Sequence, residues 1–145
     1  ELRFGRFLTP AGIWNQEPYA PFVATDDRPL HIRQIFPQTG DGIQLQGQVN
    51  LGSVVTKYHA YAANGAGEPG KTDSNQAKAV GGRIAFKLPI LDDFQLGGSS
   101  FNGEDTAADN KKRASLGTDL RFQIKGLKFW GEYANAKFTP SLSSF

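Results

Sequence analysis

The chain has 145 residues, a formal net charge of +2, no cysteine and no methionine. Its length is that of one domain or part of one. The small, interspersed charge argues against a nucleic-acid partner, and the lack of cysteine excludes a disulfide framework, a zinc ribbon or a thiol nucleophile. No run approaches the ~18 apolar residues of a membrane helix, but membrane-barrel strands alternate and never produce such a run. Residue 1 is not an initiator methionine, so the chain is expected to be processed or excised from something longer.

In chain order, LRFGRF (Leu2 to Phe7) reads as a short strand closed by Thr9-Pro10-Ala11-Gly12. Residues 9–41 follow without a sustained period. Pro18, Pro21, Pro29 and Pro37 forbid a strand or helix interior there. The stretch also holds Ile13, Trp14, Tyr19, Phe22, Val23, Leu30, Ile35 and Phe36, too many apolar side chains for a disordered linker. A long ordered loop of this kind is usually functional.

Gly42 to Leu51 alternates, with Ile43, Leu45, Val49 and Leu51 on one face and Gln44, Gln46, Gln48 and Asn50 on the other. Gly52-Ser53 turns the chain. Val54 to Asn64 returns with both faces mixed. A loop rich in Gly, Asn, Pro and Asp leads to a strand over Ala77 to Leu88, with Val80, Ile84, Phe86 and Leu88 sharing a face. Pro89 to Asp92 make a short turn, and Phe94 to Ser99 form the next strand. Asn102 to Lys111 is a polar loop.

The longest pattern runs from Arg113 to Phe138. Ala114, Leu116, Thr118, Leu120, Phe122 and Ile124 lie on one face, against Arg113, Ser115, Gly117, Asp119, Arg121, Gln123 and Lys125. Lys125-Gly126 turns, and Leu127, Phe129, Gly131 and Tyr133 return opposite Lys128, Trp130, Glu132 and Ala134. Soluble strands average about 5–6 residues. An alternation of about a dozen is closer to the ~9–11 of a tilted membrane strand.

Seven strands are therefore expected in an all-β, antiparallel up-and-down meander. Their short and long connections alternate, which collects short turns at one end and long loops at the other, as in outer-membrane barrels. Phe86, Phe94, Phe122 and Phe129 flank the short turns on the apolar face and would form a lipid-facing girdle. The opposite face of the last four strands carries Arg83, Lys87, Asp93, Arg113, Asp119, Arg121, Lys125, Lys128 and Glu132, six positive against three negative. Buried unpaired ions cost several kcal/mol each, so this face is expected to meet water. As the wall of a lumen it would favour small anions over cations.

No catalytic or metal-ligating set emerges, and neither an enzyme activity nor a cofactor is expected. His31 and His59 lack metal-ligand spacing. Asp26-Asp27 and Asp92-Asp93 are adjacent, so on a strand they would point apart. Gly65-Ala66-Gly67 lacks the strand-turn-helix context of a phosphate loop. Trp130 could meet a ring or sugar, or pack against a folded-in loop.

The stretches FGRFLTPAGIWNQ and DDRPLHIRQIFPQTGDGIQLQG resemble Gram-negative outer-membrane porins related to the phosphate-selective porins O and P, over about residues 3–47. The resemblance implies a barrel of about sixteen strands, usually a homotrimer, in the outer membrane of a Gram-negative bacterium. It implies a loop folded inward to narrow the channel, here residues 9–41 with Arg28 and Arg33, and basic residues that draw anions through. Seven strands cannot close such a barrel, so the chain (residues 1–145) is expected to be one segment of it. The reading is passive diffusion of small solutes, with a mild preference for anionic ones, through a barrel set in outer-membrane lipid. Three other architectures fit the alternation: a soluble β-sandwich or small barrel serving as a binding or adhesion module, a complete eight-stranded membrane barrel, and an envelope scaffold.

Overall fold

The computed structural model describes residues 1–13, 15, 35–64, 78–104 and 111–140. They form seven strands: β1 (Leu2–Leu8), β2 (Thr39–Leu51), β3 (Val54–Asn64), β4 (Lys78–Lys87), β5 (Asp92–Glu104), β6 (Lys111–Ile124) and β7 (Leu127–Pro140). All seven join one sheet in chain order, each antiparallel to the next. The fold is all-β and an up-and-down meander. Among the described residues β1 and β7 each pair on one side only, so the sheet is open.

Three connections are short and share one end: Gly52-Ser53, residues 88–91 and Lys125-Gly126. Lys125 (φ 48°) and Gly126 (φ 85°) are both left-handed, the two-residue hairpin geometry whose twist matches the strands. The connections after β1, β3 and β5 lie at the other end. That after β5 is shorter than its sequence suggests, residues 105–110, because β5 runs on to Glu104. Asn102 and Gly103 are weak strand formers, yet pairing with β6 extends β5 through them. At its start β5 is bulged: Asp93 and Phe94 face the single residue Phe122, with Asp93 at φ 54°.

The burial of the two faces is the reverse of a soluble sheet. The apolar rows are exposed: Phe4 is 72% exposed, Leu116 67% and Tyr133 67%. On the polar face the rows away from the short turns hold covered side chains: Arg83 is 3% exposed, Gln44 3% and Asp119 2%. Described residues that flank the connection between β1 and β2 lie against this face: Gly12 and Ile13 meet Ser99 and Glu132, Ile35 meets Ser115, and Ala11, Ile13 and Phe36 are themselves buried.

An apolar cluster forms on this inner face towards the long-loop end. It contains Phe7 of β1, Tyr61 and Ala63 of β3, Ala79 of β4 and Phe101 of β5, closed by Ala11 and Phe36, with Ile35 and Ala134 of β7 against it. Phe7 and Tyr61 meet edge to face at 5.6 Å. A flat sheet would hold β1 and β7 six strand spacings apart, ~29 Å. Residues of both reach one cluster because Ala11 and Phe36, from the chain between the strands, fill the space over the sheet.

Candidate functional site

The polar faces of β2 to β7 stack in rows fixed by the register. The row nearest the long loops is Gly42, Ala63, Ala79, Gly103, Arg113 and Phe138; the next is Gln44, Tyr61, Gly81, Phe101, Ser115 and Ala136. Then come Gln46, His59, Arg83, Ser99, Gly117 and Ala134, followed by Gln48, Lys57, Ala85, Gly97, Asp119 and Glu132. Nearest the short turns are Asn50, Val55, Lys87, Gln95, Arg121 and Trp130, with Gln123 and Lys128 beyond.

All eight predicted wall charges, Arg83, Lys87, Arg113, Asp119, Arg121, Lys125, Lys128 and Glu132, belong to the inner strand faces or, for Lys125, the adjoining turn. Their access to water differs. The expectation that the whole charged face meets water gives way at Arg83, Arg113 and Asp119, which are buried. Arg83 donates through both terminal nitrogens to Asp119, the Nη2 bond to Oδ1 being 2.7 Å, and both side chains are 1% exposed. Ion pairing and hydrogen bonds offset the desolvation that would otherwise exclude these charges.

The pair bridges β4 to β6 over β5. It has room because residue 97 is glycine: a Cβ there would lie 2.6 Å from Asp119 Oδ1. Arg113 lies over the Phe101 ring, 5.3 Å from its centroid, where the negative ring face favours a cation.

Nearer the short turns the face is more open, although Gln95 is buried there. Lys87 and Arg121 both reach the bulged Asp93, at 3.1 Å and 2.9 Å, and Arg121 is half-buried. Lys125 and Lys128 are exposed. Lys57 joins them on this face and is also exposed. Lys57 does not stand out in the sequence because both faces of β3 look mixed. Its signal is the register: it stands beside Ala85, two residues from the buried Arg83.

The chain leaving β1 is tied down at its base and along its course. Thr9 N donates to Gln38 O at 3.0 Å, Thr9 Oγ1 donates to Pro37 O, and Asn15 Nδ2 donates to Thr9 Oγ1 at 3.0 Å. Gly12 N donates to Ser99 Oγ at 3.3 Å, and Ser99 Oγ accepts from Arg83 Nη1 at 3.2 Å. Ile13 N donates to Glu132 Oε1 at 2.8 Å. On the returning side Ser115 Oγ donates to Ile35 O at 2.6 Å, and Phe36 lies against Gly117. A cavity of about 520 Å³ remains beside this segment, lined by Arg3, Gln44, Gln46, His59, Thr9 and Asn15 among others.

On the outer face Phe94, Phe122 and Phe129 form a stacked row, with ring centroids 6.4 Å and 4.9 Å apart. Phe86 sits on the same face, paired with Leu96. The basic members proposed for the loop, Arg28 and Arg33, lie outside the described residues, as do Trp14, Tyr19, His31 and Gly65 to Gly67.

The arrangement defines a class of structure: an antiparallel meander with an exposed apolar outside and a polar, charged inside, part of which is covered by residues flanking its first connection. An uncharacterized protein of Aquifex aeolicus (strain VF5) is 34% identical over 170 aligned positions, which cover 99% of this chain and 38% of the relative. The chain thus spans well under half the length of the relative it matches. No family model matches, and no solved structure matches.

Proposed function

We propose that the chain is a segment of a transmembrane β-barrel of the outer membrane, a porin through which small solutes diffuse passively with a mild anion preference. The observation that carries the reading is the inverted burial. Soluble proteins rarely expose contiguous apolar patches beyond a few hundred Å². Here large apolar side chains such as Phe4, Leu116 and Tyr133 lie outside, while the inner face carries ions and amides alongside the apolar cluster around Phe7 and Phe101. That is the pattern of a wall between lipid and an aqueous interior. Strands of 10 to 14 residues for β2 to β7 suit a tilted crossing.

The mechanism is diffusion through the space enclosed by the inner face, narrowed by the connection between β1 and β2. Lys57, Lys87, Lys125 and Lys128 supply the positive bias, since they are exposed on that side. Arg83 contributes little, because Asp119 neutralises it. Phe94, Phe122 and Phe129 sit at the level of one interface. The remaining strands of the barrel come from further chain or from other copies, the homotrimer of the resembling porins being one arrangement.

The binding-module reading requires the apolar rows to be a core, and their exposure weighs against it. The first experiment is the intact mass of the protein from its source membrane, with electrophoretic migration before and after boiling. A mass well above 15.8 kDa with heat-modifiable migration supports the segment of a porin. A soluble protein near that mass would overturn it.

A further inference from the structure

We infer that Glu132 is the positioning residue that fixes the Gly12-Ile13 turn, just after β1, against the inner face, by holding its carboxylate in that turn. Glu132 stands directly opposite Asp119 in the β6–β7 register. Like charges facing each other across strands are destabilising. Asp119 is satisfied by Arg83, and Glu132 receives the Ile13 N–H at 2.8 Å. The turn is shaped to bring that donor in. Gly12 has φ +65°, a conformation few residues but glycine adopt freely. It also lies so close to Glu132 that a Cβ would stand 3.1 Å from the carboxyl carbon.

The contact joins residues 119 positions apart in the chain. It comes where the segment has already left the apolar cluster around Phe7 and Phe36, at mid-height on the face, in the row of Asp119. Ser99 supports the same turn, accepting from Gly12 N while it accepts from Arg83. The docking is therefore specified by a charge-assisted bond on β7, in addition to the apolar packing on β3 to β5. Its consequence for conduction rests on the barrel reading; the docking itself does not.

The test uses the full protein in detergent micelles and in planar bilayers, with variants first checked for heat-modifiable migration. Limited proteolysis within residues 9–38 reports release of the segment. Glu132→Ala should raise the cleavage rate about ten- to a hundred-fold, as expected for loss of a hydrogen bond to a charged group. Glu132→Gln keeps an acceptor for the Ile13 N–H and should retain most of the protection. Gly12→Ala should release the segment from the other side, and combining it with Glu132→Ala should add little, since one contact is lost in both.

In bilayers, release should appear as raised conductance in Glu132→Ala and near-normal conductance in Glu132→Gln. Unchanged proteolysis in Glu132→Ala, with full additivity of Gly12→Ala, would overturn the assignment. Altered proteolysis with no conductance in any form, wild type included, would leave the assignment standing and overturn the porin reading.

Discussion

The two ends of the inner face treat charge in opposite ways. Towards the long loops and at mid-height the face is filled: Phe7, Tyr61 and Phe101 pack under the first connection, and Arg83 and Asp119 are paired and dry. Towards the short turns the face is more open: Gln95 is buried there, but Lys57, Lys125 and Lys128 are exposed. A charge in the filled part acts on stability, because its desolvation must be offset by a partner. A charge in the open part acts on whatever moves through the adjacent water. Counting six positive and three negative side chains along the strands merges these two populations.

The sharpest way to break the comparison is to remove one partner of the buried pair. Asp119→Ala should destabilise the folded protein by about 3–5 kcal/mol, since it leaves Arg83 buried and uncompensated. Replacing both partners, Arg83→Met with Asp119→Leu, should recover most of that loss. Urea unfolding of the detergent-folded protein measures both. If Asp119→Ala costs no more than neutralising the exposed Lys128, the two ends do not differ as described.

The strand pattern was legible in the sequence because a period of two is local. β3 was placed to the residue, and the tight turns at Gly52 and Gly126 marked themselves by glycine. The sorting of the apolar and polar sets onto two faces was equally local. Which face is covered was not, because alternation looks the same whether the apolar side meets a core or the outside. The covering segment was legible as a loop too apolar to be a linker, but its docking was not. The contacts of Ile13 with Glu132 and of Ile35 with Ser115 join residues 119 and 80 positions apart, and no periodicity encodes them. The Arg83–Asp119 pair was hidden for a related reason: the two lie on strands that are not neighbours, and only Gly97 between them allows the contact.

The outer face offers a second contrast, of intermediate size. Leu116 lies mid-strand on β6 and Phe122 near the turn, and both point outwards. On a soluble surface Leu116→Arg would be close to neutral, since the residue is 67% exposed. In a bilayer it should cost about 2–4 kcal/mol, and Phe122→Arg nearer 0–1, because the penalty falls with distance from the midplane. Unfolding of the two variants from lipid vesicles reads this gradient. Equal, negligible costs would remove the lipid from the outer face.

The smallest expected effect is the one tied to conduction. Neutralising Lys57, Lys87, Lys125 and Lys128 to glutamine should move the anion/cation permeability ratio towards one, read as a shift in reversal potential under a salt gradient. Lys87 shares Asp93 with Arg121, so Lys57, Lys125 and Lys128 should account for most of the shift. The double replacement at Arg83 and Asp119 should leave the ratio where it was, because the pair is neutral as a unit and out of contact with water. The shift should also shrink between 0.1 M and 1 M salt, as the Debye length falls from about 10 Å to about 3 Å and the exposed ammonium groups are screened. A ratio that is unmoved by the lysines, or moved equally by the buried pair, would mean that ions do not pass along the open end of this face.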